Sequence, residues 1–133
     1  MKTLISTVAG CVVATLAIAA IDASAATIRV RCEQRGTERA QVAIDGRHLA
    51  ALPVGQMYAA QVVSGANSAT SPGEPLAGDE VEFDFNSEKS NTEAGATAIA
   101  RDFIVGASVT GKILAADGAA VISDTVACRV RAR

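Results

Sequence analysis

Beyond its first 25 positions the chain alternates apolar and polar residues with a period of two, the period of a strand rather than a helix. In Thr27 to Cys32 the apolar set Ile28, Val30 and Cys32 is separated by Arg29 and Arg31, which predicts a strand with one dry face and one wet face. The same pattern closes the chain. Within a run from Ala119 to Arg131, Val126, Cys128 and Val130 fall on one face and Arg129 and Arg131 on the other. Ala40, Val42 and Ile44 alternate with Arg39, Gln41 and Ala43, and Asp45-Gly46 follows as an expected hairpin turn into a return strand over Arg47 to Leu52. Met57 to Ser64 predicts a further strand with Tyr58, Ala60 and Val62 on one face. The clearest alternation sets Val81, Phe83 and Phe85 against Glu80, Glu82, Asp84 and Asn86.

Between these runs the pattern breaks. Asn67 to Gly78 is rich in turn residues, with Ser71-Pro72-Gly73 and Pro75, and reads as a loop. Ser90 and Glu93 have capping-box spacing, which predicts a short helical turn through Ala94 to Ala98. Phe103 to Val105 and Val109 to Leu114 read as extended, and Asp117-Gly118 marks a second hairpin. Seven or eight short strands and no long helical period predict an all-β fold. The expected architecture is an antiparallel β-sandwich of immunoglobulin-like size, with at most one short helix near 91–98.

Residues 1–25 have the organisation of a secretory signal peptide: Lys2 as the charged start, an apolar stretch from Leu4 to Ile21, and Ala23-Ser24-Ala25 before the expected cut. Val8-Ala9-Gly10-Cys11 has the form of a lipoprotein cleavage site, but the apolar run continues well beyond it, which favours cleavage after Ala25. Removal of the segment leaves a single domain over 26–133, with no stable membrane insertion. It also discards Cys11, so that the odd count of three cysteines becomes a pair, Cys32 and Cys128, one near each end. In an exported, periplasmic or secreted chain such a pair is expected to form a disulfide. Both residues lie on the apolar faces of their strands, as a bond between them requires.

Composition narrows the chemistry. Half of the 133 residues are apolar, but 28 are alanine and only four are aromatic, so the core must be assembled from small side chains. The net charge of -2 offers no footprint for nucleic acid. The mature chain has one histidine, His48, and no thiol beyond the disulfide, too few ligands for a zinc site without several carboxylates. Met57 and His48 alone make a poor copper pair. No Gly-x-Ser-x-Gly elbow or phosphate-binding glycine loop occurs, and no catalytic constellation emerges. With so few aromatics a sugar-stacking cleft is not expected, Tyr58 being the aromatic of exposed type.

What remains is a bipolar charge map. Arg29, Arg31, Arg129, Arg131 and Arg133 crowd the two terminal strands, while Glu74, Asp79, Glu80, Glu82, Asp84, Glu88 and Glu93 fill residues 74 to 93 against the single Lys89. An acidic strand lying beside a basic one would form a cross-strand ladder that fixes register. Otherwise Arg29, Arg31, Arg129, Arg131 and Glu82 provide an interaction face, and the expected role is non-catalytic: structural, adhesive or protein-binding, with a partner or by self-association. The alternative expectation is a calcium or small-ligand module, because Asp79, Glu80, Asp84, Asn86 and Glu88 offer the hard oxygen ligands that calcium prefers.

Overall fold

A computed structural model describes residues 26–50, 52, 53 and 55–132. The expected signal peptide, including Cys11, lies outside the described residues. Ten strands run in order as β1 (Thr27–Arg35), β2 (Arg39–Arg47), β3 (Met57–Ser64), β4 (Asn67–Thr70), β5 (Glu74–Pro75), β6 (Val81–Asn86), β7 (Thr97–Ala98), β8 (Ser108–Leu114), β9 (Ala120–Ala127) and β10 (Arg129–Arg131). One short helix, α1 (Lys89–Glu93), lies between β6 and β7. The strands form two sheets, one ordered β10-β1-β2-β6-β7 and the other β4-β3-β8-β9, with β5 paired to β3. With β1, β2 and β6 in one sheet and β3, β8 and β9 in the other, the chain crosses between layers in the manner of immunoglobulin-type sandwiches.

The all-β sandwich is as expected, but it is not strictly antiparallel. β10 runs parallel to β1, and β7 runs parallel to β6. The parallel pair at the chain ends arises because the final run is broken at Cys128. β9 pairs antiparallel with β8 in one sheet, and past Cys128 the chain changes layers to join β1 in the other. Cys128 is held at this corner by its amide, which donates to the Ala107 carbonyl at 2.8 Å, and by the disulfide to Cys32. Val130, expected on the inner face with Val126 and Cys128, therefore lies beyond the core and is 62% exposed.

The strands form where the period-two pattern placed apolar residues inward. Val30 and Cys32 of β1, Ala40, Val42 and Ile44 of β2, and Val81, Phe83 and Phe85 of β6 line one side of the core. Tyr58, Ala60 and Val62 of β3 with Val109 and Ile113 of β8 line the other. All four aromatics are buried, including Tyr58, whose hydroxyl donates to the Pro53 carbonyl at 2.7 Å and which is therefore not an exposed aromatic. The small residues have a definite use. A Cβ on Gly111 would stand 2.8 Å from Cγ2 of Val30 and 3.0 Å from Cδ1 of Ile44, so the two sheets meet over a bare backbone there.

Five local expectations are corrected. Asp45-Gly46 is not a turn but part of β2, where Gly46 packs under Ile113, Leu49 and Val81. The chain reverses instead at Gly36 (φ 52°), and the Glu38 amide donates to the Arg35 carbonyl. Arg47 ends β2, so no return strand reaches Leu52; buried Leu49 anchors the following loop by donating its amide to the Asp79 carbonyl. Asn67 to Gly78 contains β4 and β5 rather than loop alone. The helix covers Lys89–Glu93, ahead of the expected Ala94 to Ala98, because Oδ1 of buried Asn86 accepts from the Glu88 amide and turns the chain two residues earlier. Phe103 and Ile104 are buried in a loop, and Val105 forms only an isolated bridge to Ser108.

Candidate functional site

Residues of β1, β2 and β6 that point away from the core stand in rows across the sheet, because side chains alternate between faces and register fixes which residues are neighbours. One row runs Arg29, Asp45, Glu82; the next runs Arg31, Ala43, Asp84. A third begins on β10 and runs Arg129, Glu33, Gln41, Asn86. The acidic strand does not adjoin the basic ones. β2 lies between them, so the direct acid–base ladder of adjacent strands is not formed, and the outer face is basic on its β10–β1 flank and acidic on its β6 flank.

Some of this charge is met within the fold. Nη2 of Arg31 donates to Oδ2 of Asp45 at 3.0 Å, and Nε of Arg131 donates to Oε2 of Glu33 at 2.8 Å. Arg47 and Glu80 approach to 3.8 Å, and Arg39 and Glu88 to 3.9 Å. The four pairs differ in kind. Asp45 is buried while the Arg31 side chain is 56% exposed, so the guanidinium lies over a sunken carboxylate and keeps an open outer side. The other three join partly exposed groups and contribute little stability. Among the described residues, Arg29, Arg129, Glu82 and Asp84 are exposed and form no ion pair.

Two open hollows flank Gln41. The first, about 400 Å³, lies over Ala43 and is lined by Arg31, Glu33 and Arg129. The second, about 340 Å³, is lined by Glu74, Glu82, Asp84, Asn86 and Asn91. No family model matches the chain, and comparison with curated proteins and with solved structures finds no match. The chemistry of the face must therefore be taken from its own residues.

The oxygen ligands expected for calcium are spread along β6 and the segments that flank it. At ~3.4 Å per residue, Glu80 and Asn86 stand about 20 Å apart along β6. Glu80 and Glu88 face Arg47 and Arg39, Asn86 is engaged with the Glu88 amide, and Asp84 points outward from mid-strand. Among the described residues, no group of three or more His, Cys, Asp or Glu side chains is placed to hold a metal ion. His48 is exposed on a left-handed turn (φ 59°).

The outer face of the other sheet offers a contrast. Its rows run Thr70, Gln61, Lys112, Ser123 and Ser68, Val63, Thr110, Thr125, with Lys112 the single charge among them. The Thr110 and Thr125 hydroxyls bond to each other at 2.7 Å. The edges of the sandwich are blunted as well. β9 carries a bulge opposite Ile113/Leu114, and Asp124 sits opposite buried Gly111 on the inward side, two devices that discourage strand addition. β7 and β10 are two and three residues long. Sequence reasoning found the charges but not Asp45, Glu33 or Gln41, which join the face only through the pairing of β1 with β2. For Asp45 the period-two pattern through Ile44 was a usable signal, overridden by the turn signature of Asp-Gly.

Proposed function

We propose that the protein is an exported, periplasmic or secreted β-sandwich with a non-catalytic structural or protein-binding role, acting through the outer face of the β10-β1-β2-β6 sheet. The observation that carries this is the segregation of charge: exposed Arg29 and Arg129 on one flank and exposed Glu82 and Asp84 on the other, with no ion-pair partner among the described residues. Such a face steers and orients a partner of complementary charge. Blunted sheet edges favour contact through the face over strand addition.

Export is supported by the sequence of residues 1–25 and by the disulfide between Cys32 and Cys128, a bond that persists in oxidising compartments. Among the described residues, no helix is long and apolar enough to cross a membrane. The test replaces Arg29, Arg129, Glu82 and Asp84 by serine in one variant and quantifies the proteins cross-linked to it in intact cells. The expected variant is exported and disulfide-bonded but loses the cross-linked species formed by the wild type. A variant that keeps the full wild-type pattern overturns the assignment of the face.

A further inference from the structure

We infer that the partner of this face is a second copy of the same chain, docked face to face about a two-fold axis parallel to β2. This deepens the interaction role proposed above and rests on it. The inference comes from the symmetry of the charge pattern. A two-fold axis lying in the contact plane along β2 exchanges the β1 flank of one molecule with the β6 flank of the other and leaves each row at its own height. Arg29 then faces Glu82 of the second copy, since both belong to the row through Asp45. Arg31 faces Asp84 in the same way, through the row of Ala43. Each contact occurs twice, as an isologous interface requires. A two-fold axis running across the strands would instead place basic flank on basic flank, so the charges select one of the two arrangements.

The relief of the face suits this arrangement. Ala43 is the small central residue, and the hollow above it lies on the basic side of Gln41 while the acid-lined hollow lies on the other. The two-fold axis lays one kind of hollow over the other. Asp45, close to the axis, is sunk into the face beneath Arg31, so its charge is met within its own subunit. Strand twist offsets packed sheets by about 30°, which keeps the central rows aligned and splays the outer ones.

The size of the face sets the strength of the contact. Four strands at ~4.8 Å spacing and six residues at ~3.4 Å give roughly 400 Å² per subunit. A stable interface covers about 800 Å² per partner, so this dimer is weak and needs high protein concentration. It is also sensitive to salt, because the Debye length falls from about 10 Å at 0.1 M to about 3 Å at 1 M.

Sedimentation equilibrium on the mature protein tests this with two charge-reversed variants. Arg29→Glu with Arg129→Glu makes both flanks acidic, and Glu82→Lys with Asp84→Lys makes both basic; all four positions are exposed, so both variants are expected to keep the wild-type melting midpoint. The wild type is expected to dimerise at low salt, with affinity falling roughly tenfold or more toward 1 M salt. Each variant alone is expected to stay monomeric, and an equimolar mixture of the two is expected to recover the dimer. A wild type that stays monomeric at millimolar concentration, variants that dimerise like the wild type, or a mixture that remains monomeric overturns the inference. If the second copy fails in this way while the serine variant still loses its cellular cross-links, the interaction role stands with a different partner. If neither experiment responds, both fall.

Discussion

Replacing Cys32 and Cys128 together by serine removes a covalent tie across a sandwich whose core is built largely from small side chains. The bond joins residues 96 apart, so it closes nearly the whole described chain. For a loop of about 100 residues the chain-entropy model gives ~4.7 kcal/mol, and loss of a native disulfide from a small exported domain costs about 2–5 kcal/mol. A domain of this size is stable by only about 5–15 kcal/mol in total. The double variant is therefore expected to melt roughly 10–30 °C lower, at ~4–8 °C per kcal/mol. Because the tie acts mainly on the unfolded chain, the urea m-value should also rise, since the released chain exposes more surface. A local role gives a different signature: if the bond merely pinned β10 to β1, amide protection would fall at Arg129 to Arg131 and global stability would not move. A double variant within about 1 kcal/mol of the wild type and with an unchanged m-value would refute the stabilising role assigned to the bond.

Three further outcomes follow from the fold. Gly111→Ala should cost about 1–3 kcal/mol by overpacking, read by urea denaturation, because its methyl group would press on Val30 and Ile44 between the sheets. Ser64→Ala should cost about 1–3 kcal/mol, since the buried Ser64 hydroxyl accepts from the Val105 amide at 2.7 Å and donates to the Ser108 carbonyl at 2.7 Å. Retention of wild-type stability in Ser64→Ala would mean that the loop at Val105 finds another acceptor. Millimolar calcium should leave the melting midpoint unchanged, because the oxygen ligands along β6 are dispersed; a site-specific ion would raise stability by RT ln(1 + [L]/Kd), so a clear upward shift would revive a calcium site.

Much of the sandwich was legible because half-buried strands write their register into the sequence. Val81, Phe83 and Phe85, and Tyr58, Ala60 and Val62, point inward as their alternation requires. Cys32 and Cys128 could be paired from their inward positions at opposite ends of the chain. What escaped were features set by distant contacts. Asp45-Gly46 carries the residue types of a tight turn, but Gly46 is needed where Ile113, Leu49 and Val81 crowd the backbone, a demand made by other strands. The same limit hid the parallel pairing of β10 with β1: Arg129 to Arg131 alternate like any strand, and nothing local indicates that the chain changes sheets at Cys128. The candidate face was visible as two groups of charges. Its arrangement was not, because β2 separates β1 from β6 only through topology.

Site-specific photo-cross-linking in the producing cell tests most directly whether this face is the working surface. A photoreactive residue replaces Arg29 or Asp84 on the charged face, or Gln61 or Ser123 on the other sheet, one position at a time. Cross-links from positions 29 and 84, with none from 61 and 123, are the expected result. Equal labelling from both faces, or labelling from positions 61 and 123 alone, would contradict a role for the charged face.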